Sequence, residues 1–89
     1  MYDLQYTKHA EREIRKLDFK VQTRIYEILP TICENPYQHV EALIRPKGAE
    51  PLYKLVIGTY RAVMAIRDDK LVILVISAGH RKSVYKKTC

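Results

Sequence analysis

The chain has 89 residues, 47% of them hydrophobic and 29% charged, with 3 Gly and 4 Pro; this is a globular composition, sized for one domain over 1–89 and too short for two lobes closing on a cofactor. The formal charge of +6 is lopsided: residues 1–44 hold 6 Lys/Arg against 7 Asp/Glu, and residues 45–89 hold 10 against 3. A basic half of this kind points to a polyanionic partner, nucleic acid first, an acidic protein second and a membrane surface third, against the plainer reading of a solvated basic surface.

Tyr2, Leu4 and Tyr6 alternate with polar residues, the period of a half-buried strand. Thr7 can cap a following helix in which Ala10, Ile14 and Leu17 share a face. The charges between them, Glu11, Arg12, Glu13, Arg15 and Lys16, read as a solvated face with Glu11 supporting Arg15 one turn on. Asp18 can cap a second helix with a continuous apolar stripe through Val21, Ile25, Ile28, Leu29 and Ile32, which should end at Asn35-Pro36. Pro30 falls inside it and predicts a kink, because a missing N–H and a ring clash disturb the turn while Ile32 keeps the phase. Two such helices need a sheet to cover.

The turn-rich segment Arg45-Pro46-Lys47-Gly48-Ala49-Glu50-Pro51 leads into three strand-like runs, 52–57, 60–67 and 71–77. Gly58-Thr59 and Asp68-Asp69 separate them as two-residue hairpin loops, so the pairing is antiparallel. The fold class predicted is α+β, an N-terminal strand and helical hairpin packed on one face of a small, mainly antiparallel sheet. With both loops at two residues, Val56 faces Arg61 and Arg61 faces Ile76. Tyr53, Leu55, Ile57, Tyr60, Ala62, Met64, Ile66, Leu71, Ile73 and Val75 then make the core face. Lys54, Val56, Arg61, Val63, Ala65, Arg67, Val72, Leu74 and Ile76 make the other.

Lys54 and Arg61 become diagonal neighbours about 7–8 Å apart on that second face, and a sharp turn at Gly79 would bring His80 and Arg81 beside Arg61. No acid lies between Tyr53 and Arg67 to balance these cations, so an anion, most simply a phosphodiester, is the compensating ligand. A loop one residue longer would flip the register and leave separately solvated rim charges. Both readings stay open at this point. His9 and His39 share no ligand spacing with Cys33 or Cys89, so neither metal nor cofactor is expected; Cys33 reads as a small core residue. No apolar run of about 20 residues is present, and the opening residues lack a basic segment followed by an apolar one. The expected compartment is the cytoplasm, with no membrane contact.

Leu52-Tyr53-Lys54-Leu55 leading into Gly58-Thr59-Tyr60-Arg61, then Asp68-Asp69-Lys70 before an apolar strand, and finally Gly79-His80-Arg81-Lys82-Ser83-Val84-Tyr85, together resemble the RelE/ParE superfamily of toxin–antitoxin toxins, and most the RelE-type messenger-RNA interferases. The resemblance extends to Tyr6-Thr7-Lys8-His9-Ala10-Glu11-Arg12 and to Asn35-Pro36. It implies a metal-independent endoribonuclease that cleaves mRNA in the ribosomal decoding site and is neutralised by a RelB-like antitoxin. Operator DNA would be bound only by the toxin–antitoxin complex. The resemblance assigns Arg61 and Arg81 to phosphate stabilisation, Arg81 also to protonating the leaving oxygen, Lys54 to a basic position on the preceding strand and Tyr85 to nucleotide stacking. His80 is the candidate base, and Arg45, Lys47, Lys82 and Lys86 are further RNA contacts. Arg12, Arg15 and Lys16 could also touch ribosomal RNA. Val56 stands where the family's best-described enzymes carry a second lysine, which keeps a ParE-like gyrase poison and an inactive relative as alternatives.

Overall fold

The computed structural model describes residues 1–82. Strand β1 (Asp3–Tyr6) leads into helices α1 (Lys8–Arg15) and α2 (Phe19–Ile28) and two 3-10 turns, Leu29–Ile32 and Pro36–Gln38. A two-residue strand β2 (Glu41–Ala42), β3 (Tyr53–Ile57), β4 (Tyr60–Arg67) and β5 (Val72–His80) follow. The sheet order is β1-β5-β4-β3-β2, antiparallel except that β1 runs parallel to β5. The predicted α+β layout is the observed one. Strand β2 carries no alternating pattern of its own and exists only because β3 offers it an edge.

Thr7 caps α1 as predicted, its Oγ1 accepting the Ala10 N–H at 3.0 Å. The α2 boundary differs. Asp18 makes no side-chain cap bond, and in place of a kinked helix the chain tightens into a 3-10 turn at Leu29, which puts Pro30 in a first turn, where its missing N–H is not needed. The phase survives, so Leu29 and Ile32 remain buried with Ile25.

Ala10, Ile14, Ile25, Leu29, Ile32 and Cys33 meet Leu55, Ile57, Ala62, Met64, Ile73, Val75 and Ala78 in one core between the helices and the sheet. On the sheet's far side Leu52, Val63 and Ala65 form a smaller cluster with Leu43 and Ile76. The 43–52 segment folds over that face, tied by the Leu43 N–H to Leu52 O bond at 2.9 Å.

The Gly58-Thr59 hairpin has the predicted two-residue loop, with Ile57 opposite Tyr60 and Val56 opposite Arg61, and Gly58 supplies the positive φ of +62°. The second hairpin corrects the sequence reading. Its loop has four residues, because Arg67 pairs with Val72 and not with Lys70. Asp68 is drawn out of the turn by the hydroxyls of Tyr2 (2.6 Å) and Tyr37 (2.8 Å), partners far away in sequence. Leu71, expected in the core, is 50% exposed with φ of +52°. Two added residues preserve which face each side chain takes. A bulge then shifts the register once more, since Met64 pairs with Val75 but Val63 with Ser77. Arg61 therefore stands opposite Gly79, not Ile76.

Candidate active site

The β3–β4 register puts Lys54, Val56 and Arg61 on the sheet face away from the helices: Lys54 opposes Val63 and Val56 opposes Arg61. Gly79, directly across from Arg61 on β5, has no side chain and is itself buried; among the described residues a Cβ placed there would meet nothing within 4 Å. Arg61 therefore faces a strand position that carries no side chain of its own. Gly79 is a strand residue and no sharp turn occurs there; β5 runs on to His80. Arg61 folds over the hairpin end, its Nη1 donating to Gly58 O and to Tyr60 O at 2.8 Å each. The backbone of Arg81 is fastened to the same turn, its N–H donating to Thr59 O at 2.9 Å. One two-residue turn therefore holds Arg61 by its side chain and Arg81 by its main chain, although they are separated by 20 positions in sequence.

Lys54 Nζ lies 3.5 Å from Glu41 Oε2, across the β2–β3 pair. An exposed pair of this kind is worth little, and an incoming phosphate can compete for the ammonium. A further cation–acid contact joins Arg67 Nε and Glu50 Oε2 at 3.4 Å. Lys47 is exposed in the turn closed by Ala49 N–H to Pro46 O, and Arg45 precedes it half-buried. Lys82 is exposed beyond β5, while Tyr85 and Lys86 lie outside the described residues.

His80 is not gathered with Arg61. It pairs with Tyr60, and the two rings meet edge to face at 5.8 Å between centroids. Tyr60 shares a cavity lining with Val21 and Arg24 of α2 and with Ile57, which places this ring pair on the helical side. The Nδ1 of His80 also accepts the Lys82 N–H at 3.2 Å. The expectation that His80 joins the arginines is corrected by the bulge and by the straight run of β5.

One polar group escaped the sequence reading. Glu13 was expected on a solvated face, yet its side chain is only 10% exposed. Its Oε1 accepts from Ser77 Oγ at 2.6 Å and from Ala78 N–H at 3.3 Å, with His9 Nε2 3.1 Å away. Strand β1 stops pairing at Tyr6, after which the Thr7 N–H donates to Val75 O and the Thr7 hydroxyl to Ile76 O. Glu13 continues that edge: a helix side chain replaces the missing strand along the part of β5 that leads to Gly79 and Arg81. In sequence Glu13 is set apart only by Leu17, an apolar residue, at i+4, where Glu11 has Arg15.

Comparison with known proteins agrees with this architecture. The profile of the ParE toxin of type II toxin-antitoxin systems, parDE, matches residues 4–85. The mRNA interferase toxin RelE of Escherichia coli strain K12 is 31% identical over 83 residues, covering 91% of this chain and 84% of that protein. Among solved structures, the toxin–antitoxin complex RelBE2 of Mycobacterium tuberculosis superposes with a TM-score of 0.80 at 23% identity, over 90% of this chain and 98% of that one. The intact E. coli RelBE toxin–antitoxin complex gives 0.69 at 28% identity, over 90% and 96%. The chain belongs to the RelE/ParE family and is a toxin of a toxin–antitoxin system.

Proposed function

We propose that this toxin is a ribosome-dependent endoribonuclease. The observation that carries the reading is the Arg61–Gly79 pairing: an arginine opposite a strand position without a side chain, with Lys54 on the same face and Arg81 anchored at the same turn. The RNA 2′-oxygen would attack the adjacent phosphorus as the bond to the 5′-oxygen breaks, leaving a 2′,3′-cyclic phosphate and a 5′-hydroxyl. The 2′-proton leaves to solvent or a ribosomal group, and the departing 5′-oxygen is protonated. Arg61 and Arg81 offset the charge that grows on the phosphorane, Arg81 also supplying the proton, and Lys54 holds a flanking phosphate. With His80 turned to the other side, positioning and electrostatics carry the rate. Tyr85 would stack on a nucleotide, and Arg45, Lys47, Lys82 and Lys86 would lie along the RNA backbone.

The partners that follow are a translating ribosome with its mRNA and a RelB-like antitoxin that covers the basic face, in the cytoplasm; operator DNA is met through the antitoxin. Among the described residues no helix is long and apolar enough to cross a membrane. A second reading, a ParE-like toxin that poisons gyrase without cutting RNA, is favoured by Val56, which is 47% exposed on this face and brings no charge. Primer extension on translated mRNA separates them. Ribosome-dependent breaks that vanish in Arg81→Ala establish the nuclease; intact mRNA with double-strand DNA breaks trapped on gyrase establishes the poison. An absence of both, with no growth arrest on induction, identifies an inactive relative.

A further inference from the structure

Behind the Gly58-Thr59 turn, on the side of the sheet away from Lys54 and Val56, an open cavity of about 360 Å³ is lined by Lys20, Val21 and Arg24 of α2 and by Ile57, Gly58, Thr59 and Tyr60. That volume is at the small end for ligand sites. Lys20 and Arg24 stand one helical turn apart on one face, an arrangement of like charges that weakens a helix. Lys20 also sits in the first turn, where a cation opposes the helix dipole. Among the described residues no acid lines the cavity, and neither cation belongs to any of the ion pairs they form. Val21 and Ile57 give the cavity apolar walls, and the half-buried Tyr60 ring, braced edge-on by His80, gives it an aromatic one.

We propose that this cavity is a second RNA subsite, taking one nucleotide of the strand that passes Arg61, with Lys20 and Arg24 on its phosphate and Tyr60 against its base. This extends the nuclease reading to a neighbouring residue of the RNA. A nucleotide is favoured over an acidic peptide because the cavity and the arginine site share their dividing wall. Gly58 O takes the Arg61 guanidinium and Thr59 O takes the Arg81 N–H, so a chain lying on one site is led over the turn into the other. Cations at the mouth with an aromatic ring inside are what single-stranded nucleic acid requires, since phosphate and base face are both present in every nucleotide.

The test uses the full-length toxin and a fluorescent 12-nucleotide RNA carrying 2′-O-methyl groups, which cannot be cleaved, with affinity measured by anisotropy across a salt series. The double variant Lys20→Gln, Arg24→Gln should weaken binding at least tenfold at low salt. It should also reduce the slope of log K against log salt by about 0.7, for the one phosphate the two cations share. Its melting temperature should hold or rise, because a like-charge pair is removed. Tyr60→Leu should weaken binding and leave the slope alone. Unchanged affinity and slope in the double variant, no binding by the wild type at low salt, or loss of antitoxin binding with RNA binding intact would each overturn the subsite. A wild type that binds this RNA through Lys20 and Arg24 yet cuts no translated mRNA would retain the subsite and refute the nuclease instead.

Discussion

Ser77 Oγ and Glu13 Oε1 are 2.6 Å apart and join α1 to β5 across 64 positions of sequence, at the point where β1 no longer covers the strand. Ser77 is 1% exposed, and a buried hydroxyl or carboxylate without its partner costs about 1–3 kcal/mol.

Glu13→Ala should therefore release the end of β5 while leaving the rest of the sheet paired. Amide exchange should rise for residues 78–81 and stay slow at Met64 and Ile73, and mRNA cleavage should fall by tenfold or more because Arg81 is no longer held. Glu13→Gln, which keeps an acceptor oxygen, should restore most of both. Unchanged exchange in the alanine variant would contradict this role.

Arg61→Ala and Gly79→Ala alter the two facing positions of this strand pair. Losing the guanidinium should lower cleavage by about two orders of magnitude or more, as for one transition-state donor, and Arg81→Ala should match it. Gly79→Ala adds a methyl group that meets none of the described residues within 4 Å and removes a glycine from a strand interior, so the melting temperature should hold or rise. Cleavage should nevertheless drop about tenfold as the methyl crowds the position facing Arg61. Equal activity with full stability would place the phosphate elsewhere.

Leu29 is completely buried at the junction of α2 and the 3-10 turn. Leu29→Ala should cost about 2–5 kcal/mol through the cavity it leaves, read as a lower urea midpoint with an unchanged m-value. Normal melting would contradict the core described above.

Asp68 accepts from Tyr2 and Tyr37, and those two hydroxyl bonds hold its carboxyl below the usual carboxylate range. The tyrosines respond in the opposite direction: Tyr2 is raised by its bond to Asp68 and Tyr37 by burial and then by the same carboxylate. A depressed carboxyl stabilises the fold above the unfolded pKa, near 3.8, and that contribution fades as pH falls through the lower folded value. The melting temperature of Asp68→Asn should thus lie below wild type at neutral pH and converge on it as the pH falls below the lowered folded value. A gap that stays constant down to strong acid would mean the three groups are not coupled. Tyr6 is a different case: its hydroxyl is pushed up to about 12, first by burial and then by Tyr26, so it titrates far outside this window.

The helices were legible because their signals are local. Thr7 lies next to the apolar phase it caps, and the stripe from Val21 to Ile32 dictates which face turns inward whether the backbone is α or 3-10. The first hairpin was equally readable, since Gly58-Thr59 fixes both loop length and register. The second was not. Its loop length depends on Tyr2 and Tyr37 reaching Asp68, and its bulge on how β5 is held beyond the end of β1, and neither contact leaves a mark on residues 60–80 themselves.

The sequence by itself determined the family, the α+β layers, the core face of the sheet and the pairing of Val56 with Arg61, all of which rest on periodicity and short-range turn chemistry. Tertiary structure alone decided that Gly79 stands across from Arg61, that His80 turns toward Tyr60, and that Glu13 faces inward. Side chains alternate faces along a strand, so one bulged residue redirects everything beyond it, and whether a strand bulges is determined by what its edges must bond.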